Sequence, residues 1–285
     1  MILALLAGLA IGVAAALVIT GSGGDSDTPA ATSETTRDGD PEALAELPEP
    51  REPVTPEAAD DPESALASFL TLEAAGEWEA SYEFLTDDLR STTYPSPAEW
   101  VSAHADFPTV TGYRIDDVTE GEDGTTATVA TLTGFQAGLD PVLGLVAARG
   151  RSTWQLQQDG DVWRVNVAEN TNTFLYPASD GAETTVRRWV DARVACEDSS
   201  ALEQGLIGSP SLAEQLCTEE QDGTVGIGDV ASLPDSADTS TLVSEFGPQV
   251  FTWARTVSVD AATPLTAVLG PVGEEWRVVA VLPGT

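Results

Sequence analysis

Few of the side chains that enzymes use for acid–base, nucleophilic or metal chemistry are present in this sequence. It has one histidine, His104, and no lysine, so its 12 basic residues are all arginines. Without lysine, P-loop phosphate binding, Schiff-base chemistry and Ser-Lys nucleophiles are excluded. A zinc site needs several His or Cys ligands, and the chain offers one His and two distant Cys. We therefore expect no metal, no cofactor and no identifiable catalytic residue.

His104 lies on the third predicted helix of the folded region. A histidine in such a position is typically a surface or partly buried side chain. The alternative is a general base that faces a cavity, because an unperturbed imidazole has a pKa of about 6.5. This alternative describes a small-molecule enzyme, isomerase-like or cyclase-like, that uses a carboxylate or His104.

A candidate ligand pocket is formed by Phe251, Trp253 and Arg255. These residues alternate along a predicted strand, 249–260, and alternate residues of a strand project to the same face. If that face lines a cavity, Arg255 is a cation among aromatic rings and is suited to a carboxylate ligand. The simpler alternative places Arg255 at an open edge, paired with one of the many acids.

The two cysteines, Cys196 and Cys217, lie 21 positions apart. In a chain that is exported through a membrane, such a pair tends to form a disulfide. The alternative is a pair of buried thiols. We expect the disulfide.

The charge balance limits the partners. The chain has 47 acidic residues and 12 basic ones, for a net charge of −35 at pH 7. This charge opposes binding to phosphate backbones and to anionic lipid heads, so nucleic acid is excluded as a partner. Two explanations of the acidity remain open, adaptation to strong salt and codon bias.

The N-terminal segment 1–20 has no charged side chain, and 2–19 is almost entirely apolar. A helix of this length crosses a bilayer core of roughly 30 Å. A cleaved signal peptide is the alternative, but it needs a basic start and a shorter apolar middle. We expect a single-pass membrane anchor with the globular part outside the cytoplasm.

The segment 21–60 is acidic and rich in Gly, Pro, Ser and Thr. Sequence of this kind buries too little apolar surface to offset the entropy of ordering. It is predicted to be a disordered linker that holds the globular part away from the membrane.

A first α+β unit is predicted over 61–176. Asp61-Pro62-Glu63 and Ser96-Pro97-Ala98-Glu99 are helix starts, and an apolar stripe from Trp78 to Leu89 indicates a helix between them. Alternating segments then predict antiparallel strands, and Asp159-Gly160 indicates a hairpin. The predicted strands are 113–118, 125–133, 151–158 and 162–167, and 139–148 is either a bent strand or a short helix.

A second unit, 180–285, has a similar plan. A helix over 182–195 is followed by strand-like segments at 223–230, 249–260 and 265–269. The strand Asp161-Val162-Trp163-Arg164-Val165 of the first unit is echoed by Glu274-Glu275-Trp276-Arg277-Val278 at the end of the second. An internal duplication explains this repetition.

Each unit resembles the nuclear transport factor two-like superfamily. The resemblance is carried by Ala65-Leu66-Ala67-Ser68-Phe69-Leu70, by Ala75-Gly76-Glu77-Trp78 and by the closing Trp163-Arg164-Val165, and it covers about 61–167 and 182–282. It implies two cone-shaped α+β units, each with a curved antiparallel sheet around a cavity. Members of this superfamily bind small molecules, catalyse reactions or pair with another domain.

The stretch 61–90 also looks like the membrane-proximal domain of some penicillin-binding proteins. No transpeptidase follows, so this similarity implies at most an accessory role in cell-wall synthesis. Taken together, we expect a membrane-anchored, extracytoplasmic binding or interaction protein without catalytic activity, whose protein or small-molecule partner is unknown. The small-molecule enzyme and the cell-wall accessory are the alternatives.

Overall fold

Blocks of helices alternate with blocks of strands along the chain. The structure, a computed structural model, describes residues 46–141, 143–218, 225–236 and 239–284. The predicted membrane anchor 1–20 and most of the predicted linker 21–60 lie outside the described residues. Within the described part, no helix combines the length and the apolar character needed to cross a membrane.

The first block is a layer of short helices whose starts are set by local capping. Asp61 accepts a hydrogen bond from the Ser64 amide at 2.8 Å, and Ser96 accepts one from the Glu99 amide at 3.3 Å, so both predicted starts are confirmed. The helices are α1 (Pro62–Ala75), α2 (Trp78–Ser81), α3 (Asp87–Thr92) and α4 (Pro97–Ala103), with a 3₁₀ turn at Tyr82–Phe84.

The stripe from Trp78 to Leu89 is not one helix, so that prediction is wrong. The chain becomes extended at Leu85, which forms a parallel bridge with Val165. Thr86 then caps α3, and its own amide donates to the Val165 carbonyl at 3.2 Å. Pairing with a strand far along the sequence therefore interrupts a helix that local periodicity alone favours.

The first sheet contains β1, β2, β5 and β6 in that order, and every pairing in it is antiparallel. A separate hairpin of β3 and β4 forms over 138–146, where a bent strand or a short helix was expected for 139–148. The strands are β1 (Val110–Glu120), β2 (Thr126–Phe135), β3 (Gly138–Asp140), β4 (Gly144–Val146), β5 (Arg149–Asp159) and β6 (Val162–Leu175).

The second block begins with α5 and builds a five-stranded sheet in the order β7-β11-β10-β9-β8. β7 is parallel to β11, and the other pairings are antiparallel. The elements are α5 (Ser179–Val194), β7 (Glu203–Gly208), α6 (Pro210–Thr218), β8 (Gly226–Ser232), α7 (Ser240–Phe246), α8 (Val250–Trp253), β9 (Arg255–Asp260), β10 (Leu265–Val272) and β11 (Glu275–Pro283).

The predicted strand 249–260 is therefore only half correct. Residues Val250–Trp253 form a helical turn, and the strand begins at Arg255. Phe251 and Trp253 consequently do not share a strand face with Arg255. The buried Val250 and Trp253 pack into an apolar cluster with α7, and this packing favours a helical turn over an extension of the strand.

The two sheets have the same neighbour order. In the first, the Leu85 bridge lies beside β6, followed by β5, β2 and β1; in the second, β7 lies beside β11, followed by β10, β9 and β8. Both sheets are open, and register shifts interrupt pairings in each of them, for example between Thr153 and Gln155 and between Val268 and Leu269. Such bulges bend strands and increase their twist, which curves the sheets.

Three buried apolar clusters hold these layers together. One joins α1 to the first sheet, and a second joins α5 to the second sheet. The third unites Leu145 of β4 with Phe246 of α7 and Trp253 of α8. Gly144 makes that approach possible, because a Cβ there would lie 2.2 Å from the Phe246 carbonyl oxygen, and its φ is +81°.

The described end of the predicted linker, from Glu46 onward, packs on the folded part. The Leu47 side chain lies over Gly112 and Gly134, which face each other in the first sheet. Arg51 forms an ion pair with Glu63, and the Val54 amide donates to the Ser68 hydroxyl at 3.0 Å. Two glycines without side chains create the space that Leu47 fills.

We expect Gly134→Ala to destabilise the protein by about 1–3 kcal/mol, because overpacking has costs of this size. The new Cβ would lie 2.7 Å from Leu47 Cδ1 and 2.9 Å from Thr111 Oγ1. Urea unfolding of this variant, of Leu47→Ala and of the double variant measures the coupling. The double variant should lose less free energy of unfolding than the sum of the two single losses. Strictly additive losses would show that Leu47 does not fill the space over Gly112 and Gly134.

The predicted disulfide between Cys196 and Cys217 is confirmed, and it connects the ends of α5 and α6. Cys196 has a φ of +55°, and Gly76 has a φ of +72° after α1. Both residues end their helices with the same pattern of backbone bonds, since their amides donate to Arg193 and Glu73 respectively, three residues back. A cysteine thus occupies a left-handed position that normally suits glycine.

Replacing both cysteines by serine should lower the free energy of unfolding by about 3 kcal/mol, since the bridge closes a loop with a sequence separation of 21. Cys196→Gly with Cys217→Ser should lose about 1 kcal/mol less, because glycine adopts a positive φ without steric cost. Urea unfolding compares the variants, with the reduced wild type as control. Alkylation of both thiols in unreduced, denatured protein would contradict the bridge.

Candidate functional site

His104 and Glu73 form a buried contact in the helix layer. Glu73 lies near the end of α1, and His104 directly follows α4. His104 Nε2 is 2.6 Å from Glu73 Oε2, and the two side chains are only 6% and 9% exposed. On its other side, His104 Nδ1 lies 2.9 Å from the carbonyl oxygen of Trp100. Both ring nitrogens of the histidine are therefore engaged.

Ser81 and Trp100 close this contact into a ring of hydrogen bonds. The Ser81 hydroxyl at the end of α2 donates to Glu73 Oε1, and it also lies 3.0 Å from the Trp78 carbonyl oxygen. The Trp100 indole N–H donates to Ser81 Oγ at 3.0 Å. We call these four residues, Glu73, Ser81, Trp100 and His104, the Glu73–His104 ring. It connects α1, α2 and α4 through polar groups alone.

Aromatic side chains enclose the ring. The indole of Trp78 stacks on the imidazole of His104 with a centroid distance of 4.7 Å and an interplanar angle of 17°. Trp100 and Phe107 meet the same imidazole edge to face, at 4.6 and 5.4 Å. These apolar walls lower the local dielectric, which strengthens the hydrogen bonds inside and makes any unpaired polar atom costly.

The order of groups in the ring does not suit nucleophilic catalysis. In a nucleophile–base pair, the imidazole takes the proton from the serine hydroxyl. Here the Glu73 carboxylate lies between Ser81 and His104 and bonds to both. The ring is therefore an arrangement that holds three helices together, and the imidazole has no nitrogen directed toward a substrate.

A second cluster around a carboxylate, that of Glu203, joins a helix to a strand in the second half of the chain. Glu203 Oε1 accepts hydrogen bonds from the Trp189 indole at 2.8 Å, from Arg193 Nε at 2.9 Å and from the Ser199 hydroxyl at 2.6 Å. Glu203 begins β7, whereas Trp189 and Arg193 lie on α5. This Glu203 cluster thus ties α5 to the parallel edge of the second sheet. The cluster is not predictable from the sequence, because no local pattern marks a contact between a helix and a distant strand.

Arg255 is 6% exposed at the start of β9. Its guanidinium donates to the Ala254 carbonyl at 2.9 Å and lies 5.9 Å from the ring centroid of Trp276. Burial lowers the pKa of Arg255, and the nearby Tyr176 partly opposes this change. The aromatic neighbours of Arg255 in the structure thus include Trp276 of β11 and Tyr176 from the segment before α5.

The other two residues of the candidate pocket have different surroundings. The Trp253 ring packs edge to face on Phe246 at 5.3 Å in the third cluster, and Phe251 is partly buried beside the same cluster. The three candidates are therefore close in sequence but do not line one shared strand face. Tyr176 and Trp276 became neighbours of Arg255 only through tertiary packing.

Two further features bear on ligand binding. The described residues contain no group of three or more His, Cys, Asp or Glu side chains that could hold a metal ion. An open surface depression of about 660 Å³ is lined by Tyr82, Asp87, Asp88, Arg90 and Ser91. Arg90 there forms ion pairs with Asp87 and Glu83, so its charge is already compensated.

Comparison with known proteins leaves the family open. No protein-family model and no curated protein matches the chain. One similar solved structure is that of a SEC-C motif containing protein from Rhodopseudomonas palustris, which is 14% identical and has a TM-score of 0.31. The match covers 41% of this chain and 80% of the other protein. Another is that of an Ntf2-like protein involved in plasmid conjugation, which is 10% identical and has a TM-score of 0.19. This match covers 74% of this chain and 92% of the other protein. At these scores neither assigns a function.

Burial raises the pKa of Tyr176, although Thr252 and Arg255 oppose the change. The unfolded phenol releases its proton near pH 10, while the folded one retains it. Stability from this group is therefore complete below about pH 10 and is lost as the pH rises toward the folded pKa. We expect a smaller fall in the urea midpoint above pH 10 for Tyr176→Phe than for wild type. An unchanged fall would contradict the burial of this phenol.

Proposed function

We propose that this chain is a membrane-anchored, extracytoplasmic binding or interaction protein without catalytic activity. In this proposal, 1–20 is a single-pass anchor that enters the bilayer through 2–19, and a linker follows. The working part consists of two tandem nuclear transport factor two-like modules, 61–176 and 180–285. Its partner is a protein or a small molecule and not a nucleic acid.

The observation that carries the proposal is that His104 and Arg255, the side chains most suited to chemistry, make their contacts inside the protein. A general base must reach the proton that it removes from a substrate. Both nitrogens of His104 are bonded within the protein, and its side chain is 6% exposed. Arg255 is buried against carbonyl oxygens and Trp276. When interior groups serve packing in this way, the outer surface is left to perform the function.

The shared strand order of the two sheets supports a tandem arrangement. In chain order, the last strand of each sheet contains a Trp-Arg-Val sequence, at Trp163 in β6 and at Trp276 in β11. Each of these tryptophans is bonded just before the first helix of its half: the Trp163 amide donates to the Ala59 carbonyl, and the Trp276 indole donates to the Ala178 carbonyl, both at 2.8 Å. Gly76 and Cys196 each follow a helix and have a positive φ, and this shared feature fits the same duplication.

The disulfide and the surface charge support the location and the partner class. Disulfides persist in oxidising compartments outside the cytoplasm. The net charge of −35 at pH 7 repels polyanions. Together with the apolar 2–19 segment, these features favour an exported globular part near a membrane.

A topology experiment tests the location. The full chain, expressed in a bacterial host, should pellet with membranes, and protease added to intact spheroplasts should digest the part after residue 60. A cytoplasmic protein in the same cells, protected from protease, is the control. A chain that stays soluble after the membranes are pelleted would contradict the anchor.

A genetic experiment tests the absence of catalysis. In the source organism, with the chromosomal copy removed, the double variant Glu73→Gln with His104→Gln should restore the wild-type phenotype in proportion to its abundance. Amides can bond across the same contact, so the fold is retained while acid–base capacity is removed. Glu203→Gln is the matched control in the other module. A double variant that is abundant, folded and without function would favour the enzyme.

A further inference from the structure

The contact between His104 and Glu73 needs a proton. Nδ1 of His104 faces the Trp100 carbonyl oxygen, which can only accept, so Nδ1 carries a hydrogen. In a neutral imidazole Nε2 is then a bare acceptor. It lies 2.6 Å from a carboxylate oxygen of Glu73, which is also an acceptor when ionised. Two acceptors at this distance repel each other unless one proton lies between them.

We propose that Glu73 and His104 form a buried proton-binding site that holds α4 against α1 and α2. The bound proton lies in the Nε2–Oε2 contact, either on the imidazole beside a carboxylate or on the carboxyl beside a neutral imidazole. Both arrangements contain the same atoms. Loss of this proton leaves two facing acceptors inside an aromatic layer, opens the ring and releases α4. The site is independent of the proposed function.

The remaining groups of the ring fix where this proton belongs. Glu73 Oε1 already receives the Ser81 hydroxyl, and Ser81 Oγ receives the Trp100 indole N–H, so both bonds are made without a titrating proton. Tyr94 meets the Trp100 ring edge to face at 4.8 Å, and burial raises the pKa of this phenol, which keeps it neutral. The carboxylates that follow α1, and those on α2 and on and after α4, are exposed: Glu77, Glu79, Glu99 and Asp106. Glu63, at the opposite end of α1, is paired with Arg51.

The Glu203 cluster provides a comparison inside the same molecule. Glu73 lies three residues before Gly76, and Arg193 lies three residues before Cys196, at the corresponding helix ends. Arg193 meets Glu203 as a cation, and a guanidinium stays charged at every accessible pH. The second cluster therefore needs no added proton, whereas the contact between Glu73 and His104 does.

Nuclear magnetic resonance of the full chain in detergent micelles tests the site directly. Because the chain has one histidine, ¹⁵N-histidine labelling gives signals from His104 alone. At pH 8 we expect a hydrogen on Nδ1, and an Nε2 shift either of a protonated nitrogen or of one that accepts a strong hydrogen bond. The shift of a free, unprotonated Nε2 would overturn the proposal.

Glu73→Gln supplies the second test. Its amide N–H can donate to Nε2 while its oxygen still accepts from Ser81, so the ring closes without a titrating proton. At pH 8 we expect the Nε2 signal of His104 in Glu73→Gln to move from its wild-type position to that of an unprotonated nitrogen that accepts an ordinary amide hydrogen bond, and to stay at the wild-type position in Glu203→Gln. An Nε2 signal that Glu73→Gln leaves unchanged would overturn the proposal. If this variant does not fold, the wild-type spectrum decides.

Discussion

A carboxylate that leaves water must find hydrogen-bond donors, and this requirement organises both halves of the molecule. Glu73 finds them on α2 and beside α4, and Glu203 finds them on α5 and in the turn after it. In each case the carboxylate joins elements that also pack through apolar contacts. Removing a partner of the buried Glu73 leaves a charge without compensation, which typically costs about 3–5 kcal/mol. The position of α4 therefore depends on a polar contact as much as on Trp100.

The same requirement gives buried and exposed polar groups different roles. The chain has 47 acidic residues, yet Glu73 is the one carboxylate among the buried residues of the described part. That carboxylate is bonded by Ser81 and His104, and Arg255 lies against backbone carbonyls. These buried groups of the described part thus hold the fold. The proposed binding role assigns the function to the acidic exterior, in keeping with this division.

Local and covalent features were predictable from the sequence. The helix starts at Asp61 and Ser96, the hairpin at Asp159-Gly160 and the Cys196–Cys217 bridge each depend on a few neighbouring residues or on one pairing. Features that depend on distant partners were not predictable. Strand pairing to Val165 breaks the second helix, and packing against α7 turns Val250–Trp253 into a helix. The Glu73–His104 ring combines residues 31 positions apart and has no sequence pattern of its own.

Native-state hydrogen exchange of the α4 amides tests most directly whether the Glu73–His104 ring holds the helix layer. A seven-residue helix without such a contact frays and exchanges rapidly. If the ring fixes α4, its amides should be protected to a degree similar to those of α1 at pH 6. Exchange of α4 that is orders of magnitude faster than that of α1 at the same pH would contradict the account.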